Sequence, residues 1–270
     1  NVDFGQEALF RLEEYKLPEF IVNIKTKPKE GEASSLYQLG DTVEVELDAQ
    51  YYFGGPVAGA EVEYLIYQNN YNHFYYPIRK YGWYYEDIQP SYYNYYDQGA
   101  LITKETIKTD EEGKAAFSFE TPKNSNQDFN YRIEVRVVDQ SRREIKASTE
   151  IKVTRQAFYA YLNPKQNLYR PGDKAEVDIK TLTANNDPVS ADGKITVSRN
   201  WWKDAVIQNE KVLSEARYDE NVLFTKFVKT DDKGEAIFSF EPEQDGYYVV
   251  QFTGFDANGK EITSQTNVFV

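Results

Sequence analysis

The sequence contains no cysteine, no methionine and only one histidine among its 270 residues. Without cysteine these residues can form no disulfide, no thiol nucleophile and no thiolate metal site. They also include no apolar run long enough to span a bilayer, so direct membrane insertion is not expected. The lack of disulfides does not argue against export, since an exported protein can fold without them.

Positive charge is scarce relative to negative charge. The chain has 44 Asp and Glu against 31 Lys and Arg, a net charge of −13. Nucleic acid and anionic membrane surfaces would repel such a chain, so neither is expected as a partner. Aromatic residues are abundant at 16%, with 23 tyrosines, and the hydrophobic fraction is 40%. This composition is typical of a folded protein, and the length favours two domains.

A short hairpin motif occurs twice. Residues 108–119 read KTDEEGKAAFSF, and residues 229–240 read KTDDKGEAIFSF. The Asp-x-x-Gly pattern predicts a tight turn, in which the aspartate side chain bonds backbone amides ahead of it and glycine adopts a left-handed conformation. The alternation after the turn predicts a half-buried strand in each copy. We expect four phenylalanines on these strands to be buried: Phe117, Phe119, Phe238 and Phe240.

The hairpin belongs to a longer repeat. The segment YQLGD at 37–41 returns as YRPGD at 169–173, a Pro-Val pair recurs at 56 and 188, and residues 131–153 match residues 248–270. A repeat of this length indicates tandem domains with separate cores. We therefore predict one domain over residues 14–153 and a second over 154–270. Residues 1–13 are interpreted as the last strand of a preceding domain or as a tail.

The hydrophobic pattern within each copy predicts strands and no helices. Residues 41–51 alternate cleanly, and similar short runs give seven strands in each copy, separated by polar or Gly- and Pro-containing loops. The predicted fold class is all-β, with two tandem antiparallel seven-stranded β-sandwiches. The stretch from Trp201 to Glu220 could form a short helix or an extra hairpin, and its pattern does not decide. The link at 154–155 is too short to be flexible, so a restricted domain geometry is expected.

Several of these motifs, in this order, resemble α2-macroglobulin-like proteins. The segment FRLEEYKLPEF at 10–20 resembles a junction between successive macroglobulin domains. The two Tyr-x-x-Gly-Asp motifs, the loop YFGGPVAGA at 52–60 and the two hairpins are also similar to that family. The resemblance covers nearly the whole chain. It implies a macroglobulin or fibronectin-like sandwich fold and a bacterial parent protein that traps peptidases.

The resemblance further implies a location and a set of partners. The parent protein is expected to be extracellular or periplasmic, with a lipid anchor on the parent as one option. Partners would be neighbouring macroglobulin domains of the same chain and, through the full-length protein, host or competitor peptidases. The family's Cys-Gln thioester cannot lie within these residues, because they lack cysteine. The alternative hypothesis is a pair of Ig-like repeats from a bacterial surface adhesin or glycan-binding protein.

No catalytic, cofactor or metal site is expected from the sequence. His73 is the single histidine and has no metal-ligand spacing around it, and the acidic residues at 110–112 and 231–232 fit solvated hairpin turns. The sharpest feature is a tyrosine-rich insert at 67–98. We interpret it first as aromatic packing against its own sheet or the neighbouring domain, second as a partner contact and third as a glycan platform. The predicted interaction surface comprises Tyr75, Tyr76, Trp83, Tyr84, Tyr85, Trp201 and Trp202.

Overall fold

A computed structural model describes residues 19–27, 36–77, 99–166, 168–208 and 211–270. All regular elements in these ranges are β-strands, and they form two sandwiches in tandem, as the sequence predicts. The prediction for residues 1–13 lies outside the described residues.

The first sandwich packs a three-stranded sheet against a five-stranded sheet. The three-stranded sheet has the order β1-β3-β6, and the five-stranded sheet has the order β2-β8-β7-β4-β5. The strands are β1 (Phe20–Thr26), β2 (Tyr37–Gln38), β3 (Thr42–Tyr51), β4 (Glu61–Tyr71), β5 (Ala100–Lys108), β6 (Lys114–Glu120), β7 (Asp128–Val138) and β8 (Glu144–Thr154). Seven of them match the predicted strands. The eighth, β2, is only two residues long and pairs in parallel with the end of β8.

Alternating side chains build the core of this sandwich. In β3 the inward positions hold Val43, Val45, Leu47 and Ala49, all buried, while the intervening residues face outward. Tyr64 and Ile66 of β4 close the core from the facing sheet. The period-2 pattern of β3 therefore predicted its buried face correctly.

The second sandwich repeats this arrangement. A three-stranded sheet of order β15-β10-β9 faces a four-stranded sheet of order β14-β11-β16-β17, and a small separate hairpin pairs β12 with β13. The strands are β9 (Tyr159–Pro164), β10 (Ala175–Leu182), β11 (Asp192–Lys203), β12 (Val206–Gln208), β13 (Lys211–Ser214), β14 (Arg217–Lys229), β15 (Glu235–Phe240), β16 (Tyr247–Phe255) and β17 (Glu261–Phe269). The undecided stretch after Trp201 thus contains an extra hairpin.

The repeated Thr-Asp-x-x-Gly motif joins each hairpin to the Pro-Val loop of the same sandwich. The hydroxyl of Thr109 donates to the carbonyl of Val57 at 2.6 Å and accepts from the amide of Ala60 at 2.8 Å. In the second copy, Thr230 Oγ1 lies 3.2 Å from the carbonyl of Val189 and accepts from the Ala191 amide at 2.8 Å. In each copy the threonine hydroxyl of the hairpin thus pairs with buried backbone groups of the Pro-Val loop, which explains why the hairpin motif and the Pro-Val pair recur together.

The turn itself has the predicted geometry. In the second copy, Asp231 Oδ1 accepts from the amides of Lys233 and Glu235, each at 2.9 Å, and these bonds lower the pKa of the aspartate. Gly234 has φ +70°, in the left-handed region. The first copy uses Asp110 and Gly113 in the same way.

Burial of the four repeated phenylalanines follows the prediction in only one copy. Phe238 and Phe240 are each 6% exposed, but Phe117 and Phe119 are only half-buried. The difference arises on the neighbouring edge strand. Phe224 of β14, paired with Val197, covers Phe238 and Phe240 with ring centroids 6.4 and 6.3 Å away.

In the first sandwich the position equivalent to Phe224 holds Thr103, which pairs with Ile66 on β4. A threonine covers less of the two rings than a phenylalanine does. Tyr64 provides part of the cover by stacking on Phe117 at 3.9 Å. The prediction that Phe117 and Phe119 are buried was therefore wrong.

Candidate functional site: the junction between the sandwiches

The chain continues past β4 and crosses onto the second sandwich. Over residues 71–77, which we name the bridging arm, Tyr71, His73 and Tyr75 are half-buried while the residues between them are exposed. Tyr159 and Tyr161 of β9 meet these rings from the second sandwich. An extended backbone places alternate side chains on one face, so the arm presents one row of rings to β9.

The first group of contacts holds the turn after β10. The hydroxyl of Tyr71 donates to the carbonyl of Ala184 at 3.1 Å, and Lys152 Nζ donates to the same oxygen at 2.8 Å. The Lys152 ammonium also lies 5.2 Å from the centre of the Tyr71 ring. Ala184 is only 1% exposed, so this carbonyl obtains its donors from the first sandwich.

His73 occupies the middle of the bridging arm. Its ring stacks on Tyr159 with centroids 4.6 Å apart and an interplanar angle of 11°. One ring nitrogen, Nδ1, contacts the hydroxyl of Tyr161, and the other, Nε2, lies 3.1 Å from Oδ1 of Asn186. The Tyr161 ring also packs against Tyr75, with centroids 5.5 Å apart.

The second group of contacts centres on Asp128, at the start of β7. Its carboxylate is 4% exposed and accepts three hydrogen bonds. The donors are the amide of Arg155 at 2.8 Å, Nε of Arg155 at 3.1 Å and the hydroxyl of Tyr159 at 2.7 Å. One carboxylate from the first sandwich thus binds the connecting segment and a side chain of the second.

The third group lies at the β16–β17 turn of the second sandwich. Asn258 donates from Nδ2 to Oε1 of Gln38 at 2.8 Å, which links the turn to β2 of the first sandwich. Asp256 in the same turn accepts from the amide of Ala157 at 3.3 Å. Three separated contacts on two bodies fix their relative rotation, which a single contact cannot do.

Burial at the junction changes the acidity of its tyrosines. Burial, with a smaller effect from the Asp128 charge, raises the pKa of Tyr71 to about 12. The pKa of Tyr159 is raised further, first by burial and then by its hydrogen bond to Asp128. These hydroxyls therefore stay protonated and act as hydrogen-bond donors across the junction at physiological pH.

The predicted interaction-surface residues fall on different elements. Tyr75 faces β9, whereas Tyr76 is 78% exposed and stacks on Phe74. Trp201 lies below the Arg199 guanidinium at 5.0 Å, and Trp202, which is 53% exposed, donates from Nε1 to Asp204. Trp83, Tyr84 and Tyr85 lie outside the described residues.

Sequence reasoning missed the residues that carry most of the junction. Asp128 and Gln38 were not singled out, and His73 was interpreted as a structural residue rather than a metal ligand, with no contact predicted for it. The repeat offered one signal. Asp128 lies three residues before Tyr131, and Asp245 lies three residues before the matching Tyr248, so an aspartate recurs at this position of the repeat.

The described residues contain no group of three or more His, Cys, Asp or Glu side chains placed to hold a metal ion. The polar atoms of the junction are instead paired with each other across the two sandwiches. Among the described residues there is also no helix long and apolar enough to cross a membrane.

The fold and the junction together define a class of protein, in which two tandem β-sandwiches are held in one orientation by side chains from both sandwiches. No known protein-family model matches the sequence. The chain is, however, 26% identical over 263 residues to an α2-macroglobulin of Thermotoga maritima. This alignment covers 96% of this chain and 13% of that protein.

Solved structures of bacterial α2-macroglobulins are also similar to this chain. The native conformation of Escherichia coli α2-macroglobulin aligns with 96% of the chain at 13% identity and a TM-score of 0.46, using 16% of its own length. Salmonella α2-macroglobulin reacted with methylamine aligns with 95% of the chain at 11% identity and a TM-score of 0.47, using 17% of its length. From the sequence match, this chain is α2-macroglobulin-like over nearly all of its residues, and it spans a small part of the relatives' length.

Proposed function

We propose that the two sandwiches are non-catalytic scaffold domains of a bacterial α2-macroglobulin-like endopeptidase inhibitor that acts outside the cytoplasm, in the periplasm or the medium. Peptidases would be partners of the full-length protein, and neighbouring macroglobulin domains would be partners of this segment. The proposal includes the domain limits, with one macroglobulin-like domain over residues 14–153 and the other over 154–270.

The observation that carries this proposal is the three-part junction. A spacer that holds other domains in a defined arrangement must resist rotation about its own connection. Asp128 binds the connecting segment, the bridging arm binds the turn after β10, and Gln38 binds the β16–β17 turn. The connecting residues themselves are thus hydrogen-bonded, which leaves little freedom for the second sandwich to swing.

The residue chemistry also favours a scaffold over an enzyme. Peptide hydrolysis needs a positioned nucleophile with its base, or a metal. The chain has no cysteine, and its one histidine is stacked on Tyr159 and bonded to Asn186 within the junction. We therefore propose that peptidase inhibition, where it occurs, belongs to the parent protein and not to this pair.

The test is a titration of several endopeptidases with the purified pair, read with a large protein substrate and with a small peptide substrate. We expect no loss of activity against either substrate and no cleavage of peptides by the pair alone. A sandwich pair of 270 residues cannot enclose a peptidase of similar size. Stoichiometric loss of activity against both substrates would show direct active-site inhibition and would refute the scaffold proposal.

Asp128 provides a sharper test of the junction. Replacing it by alanine (Asp128→Ala) should leave the Arg155 amide and the Tyr159 hydroxyl without their acceptor, while both sandwiches stay folded. Hydrogen bonds to a charged group contribute about 1.5–3 kcal/mol each. We expect exchange of the Arg155 amide hydrogen to accelerate by about tenfold or more, since 1.4 kcal/mol corresponds to a factor of ten.

The matched control is Asp245→Ala. Asp245 occupies the equivalent position in the second copy, but its side chain is 91% exposed. This variant should leave exchange at Arg155 unchanged. In the full-length parent, Asp128→Ala should weaken inhibition more than Asp245→Ala does. Equal effects of the two substitutions on Arg155 exchange would contradict the role of Asp128.

A further inference from the structure

The outer end of the second sandwich repeats positions that the first sandwich uses at the junction. Gln68 of β4 corresponds to Arg199 of β11, because each lies opposite the matching tyrosine of the neighbouring strand. Three residues further along the same strands, Tyr71 corresponds to Trp202. Since Tyr71 binds the second sandwich through its hydroxyl, Trp202 stands at a position where the first copy contacts its neighbour.

Two more contact positions recur at this end. The repeat matches Lys152 with Phe269 and Gln38 with Arg170. Lys152 and Gln38 both hydrogen-bond to residues of the second sandwich. The outer end thus has its own residues at three positions that form the junction in the first copy.

Large apolar side chains are exposed at this end. Trp202 is 53% exposed and Phe269 is 50% exposed, where the first sandwich has a tyrosine and a lysine. Leu168, which is 69% exposed, forms a bridge with Phe269. We name Leu168, Trp202 and Phe269 the apolar end.

The strand pairings place the apolar end on one face of the sheet. Tyr247 lies opposite both Asn200 and Phe269, and its ring stacks on that of Phe269 with centroids 5.8 Å apart. Trp202 follows Asn200 by two residues, so its side chain is on the same side of β11. Exposed apolar side chains that are grouped in this way mark an interaction site.

We propose that the apolar end is the docking surface for the β-sandwich that follows this pair in the parent protein, and that the facing surface of that sandwich is apolar. This inference rests on the proposed function, since it requires a longer parent. The backbone leaves β17 at this end, where Val270 and Gly246 exchange two hydrogen bonds. Val153 is the matching residue, and it leads directly into the link to the second sandwich.

Hydroxyl-radical footprinting tests whether the apolar end is covered. The reagent oxidises exposed side chains, and mass spectrometry measures the rate at each residue in the purified pair and in the full-length parent. We expect oxidation of Trp202, Phe269 and Leu168 to be about fivefold slower in the parent, because half-exposed side chains would become the core of an interface. Equal rates in the pair and the parent would overturn the proposal.

Photo-crosslinking identifies what covers the apolar end. A benzophenone analogue of phenylalanine replaces Phe269 in the full-length parent, and irradiation joins it to the side chains that it touches. We expect the products to contain residues of the sandwich that follows Val270. Products that contain a different part of the parent or a second copy of this chain, or no product at all, would overturn the proposal.

Two serine variants separate docking from general disruption. In the parent, Trp202→Ser should raise the oxidation of Phe269 and Leu168 to the rates measured in the pair. The matched control is Phe227→Ser, which removes a ring that is 84% exposed at the other end of the same sheet and should leave both rates low. Both variants should leave the Tm of the isolated pair unchanged, because they replace exposed side chains.

The variants also have outcomes that contradict the proposal. Continued protection of Phe269 and Leu168 in Trp202→Ser would show that the apolar end does not hold the following sandwich. Loss of protection in Phe227→Ser as well would show that the effect is not specific to this surface. The scaffold proposal is tested separately, since the titration of endopeptidases with the isolated pair does not involve the following sandwich.

Discussion

Replacing Gly234 by alanine should destabilise the second sandwich by about 3–4 kcal/mol, because a left-handed backbone cost and an overpacking cost add at this position. A Cβ atom at this position would lie 2.2 Å from the carbonyl oxygen of Thr181, a backbone atom that cannot move aside cheaply. The residue also has φ +70°, which costs an L-residue about 1–2 kcal/mol by itself. A denaturant titration that follows the second sandwich measures the effect.

Gly172→Ala is the matched control. Gly172 has a similar φ of +85°, but a Cβ there would meet nothing within 4 Å. Its substitution should cost only the backbone term of about 1–2 kcal/mol. The difference between the two variants isolates the close approach of the hairpin to β10. Equal costs would show that the contact between Gly234 and Thr181 does not restrain the fold.

The second large effect is expected for Phe238→Ala. Phe238 is 6% exposed and packs against the rings of Phe224 and Phe240. Truncating such a ring typically costs about 3–5 kcal/mol, because the cavity closes only partly. The denaturant midpoint of the second sandwich should fall accordingly.

Phe117→Ala at the equivalent position of the first sandwich is the internal comparison. Phe117 is half-buried and has Thr103 beside it where the second copy has Phe224. Its removal should cost clearly less than that of Phe238, about half as much. An unchanged midpoint for Phe238→Ala would show that this strand does not face a core, and equal costs would show that Phe224 adds no cover.

The sequence predicted the strands well because their side chains alternate. The run from Val43 to Ala49 has one apolar residue at every second position, and its buried face was read directly from that period. Phe117 was predicted wrongly because its cover depends on Thr103, a residue of a different strand. Alternation identifies the face of a strand, but the residues that cover that face are set by the packing of the sheets.

The junction was harder to predict than the strands. Asp128 is one of 44 acidic residues, and nothing local distinguishes it from its exposed equivalent Asp245. Asp128 binds the junction because the fold brings Arg155 and Tyr159, which follow the first sandwich in sequence, within hydrogen-bond distance of its carboxylate. The tyrosine-rich insert was interpreted first as packing against its own sheet or the neighbouring domain, and its described part places Tyr75 against Tyr161 of the second sandwich. The interaction-surface hypothesis for the tryptophans stays a prediction.

The central claim is that the two sandwiches form one rigid unit at neutral pH. Residual dipolar couplings of backbone amides, measured at pH 7.5 in a weakly aligning medium, test it most directly. If the contacts of Asp128, Gln38 and the bridging arm hold, a single alignment tensor should fit the couplings of both sandwiches in the observed orientation. Two tensors of clearly different magnitude would mean that the sandwiches move independently, and would contradict the account.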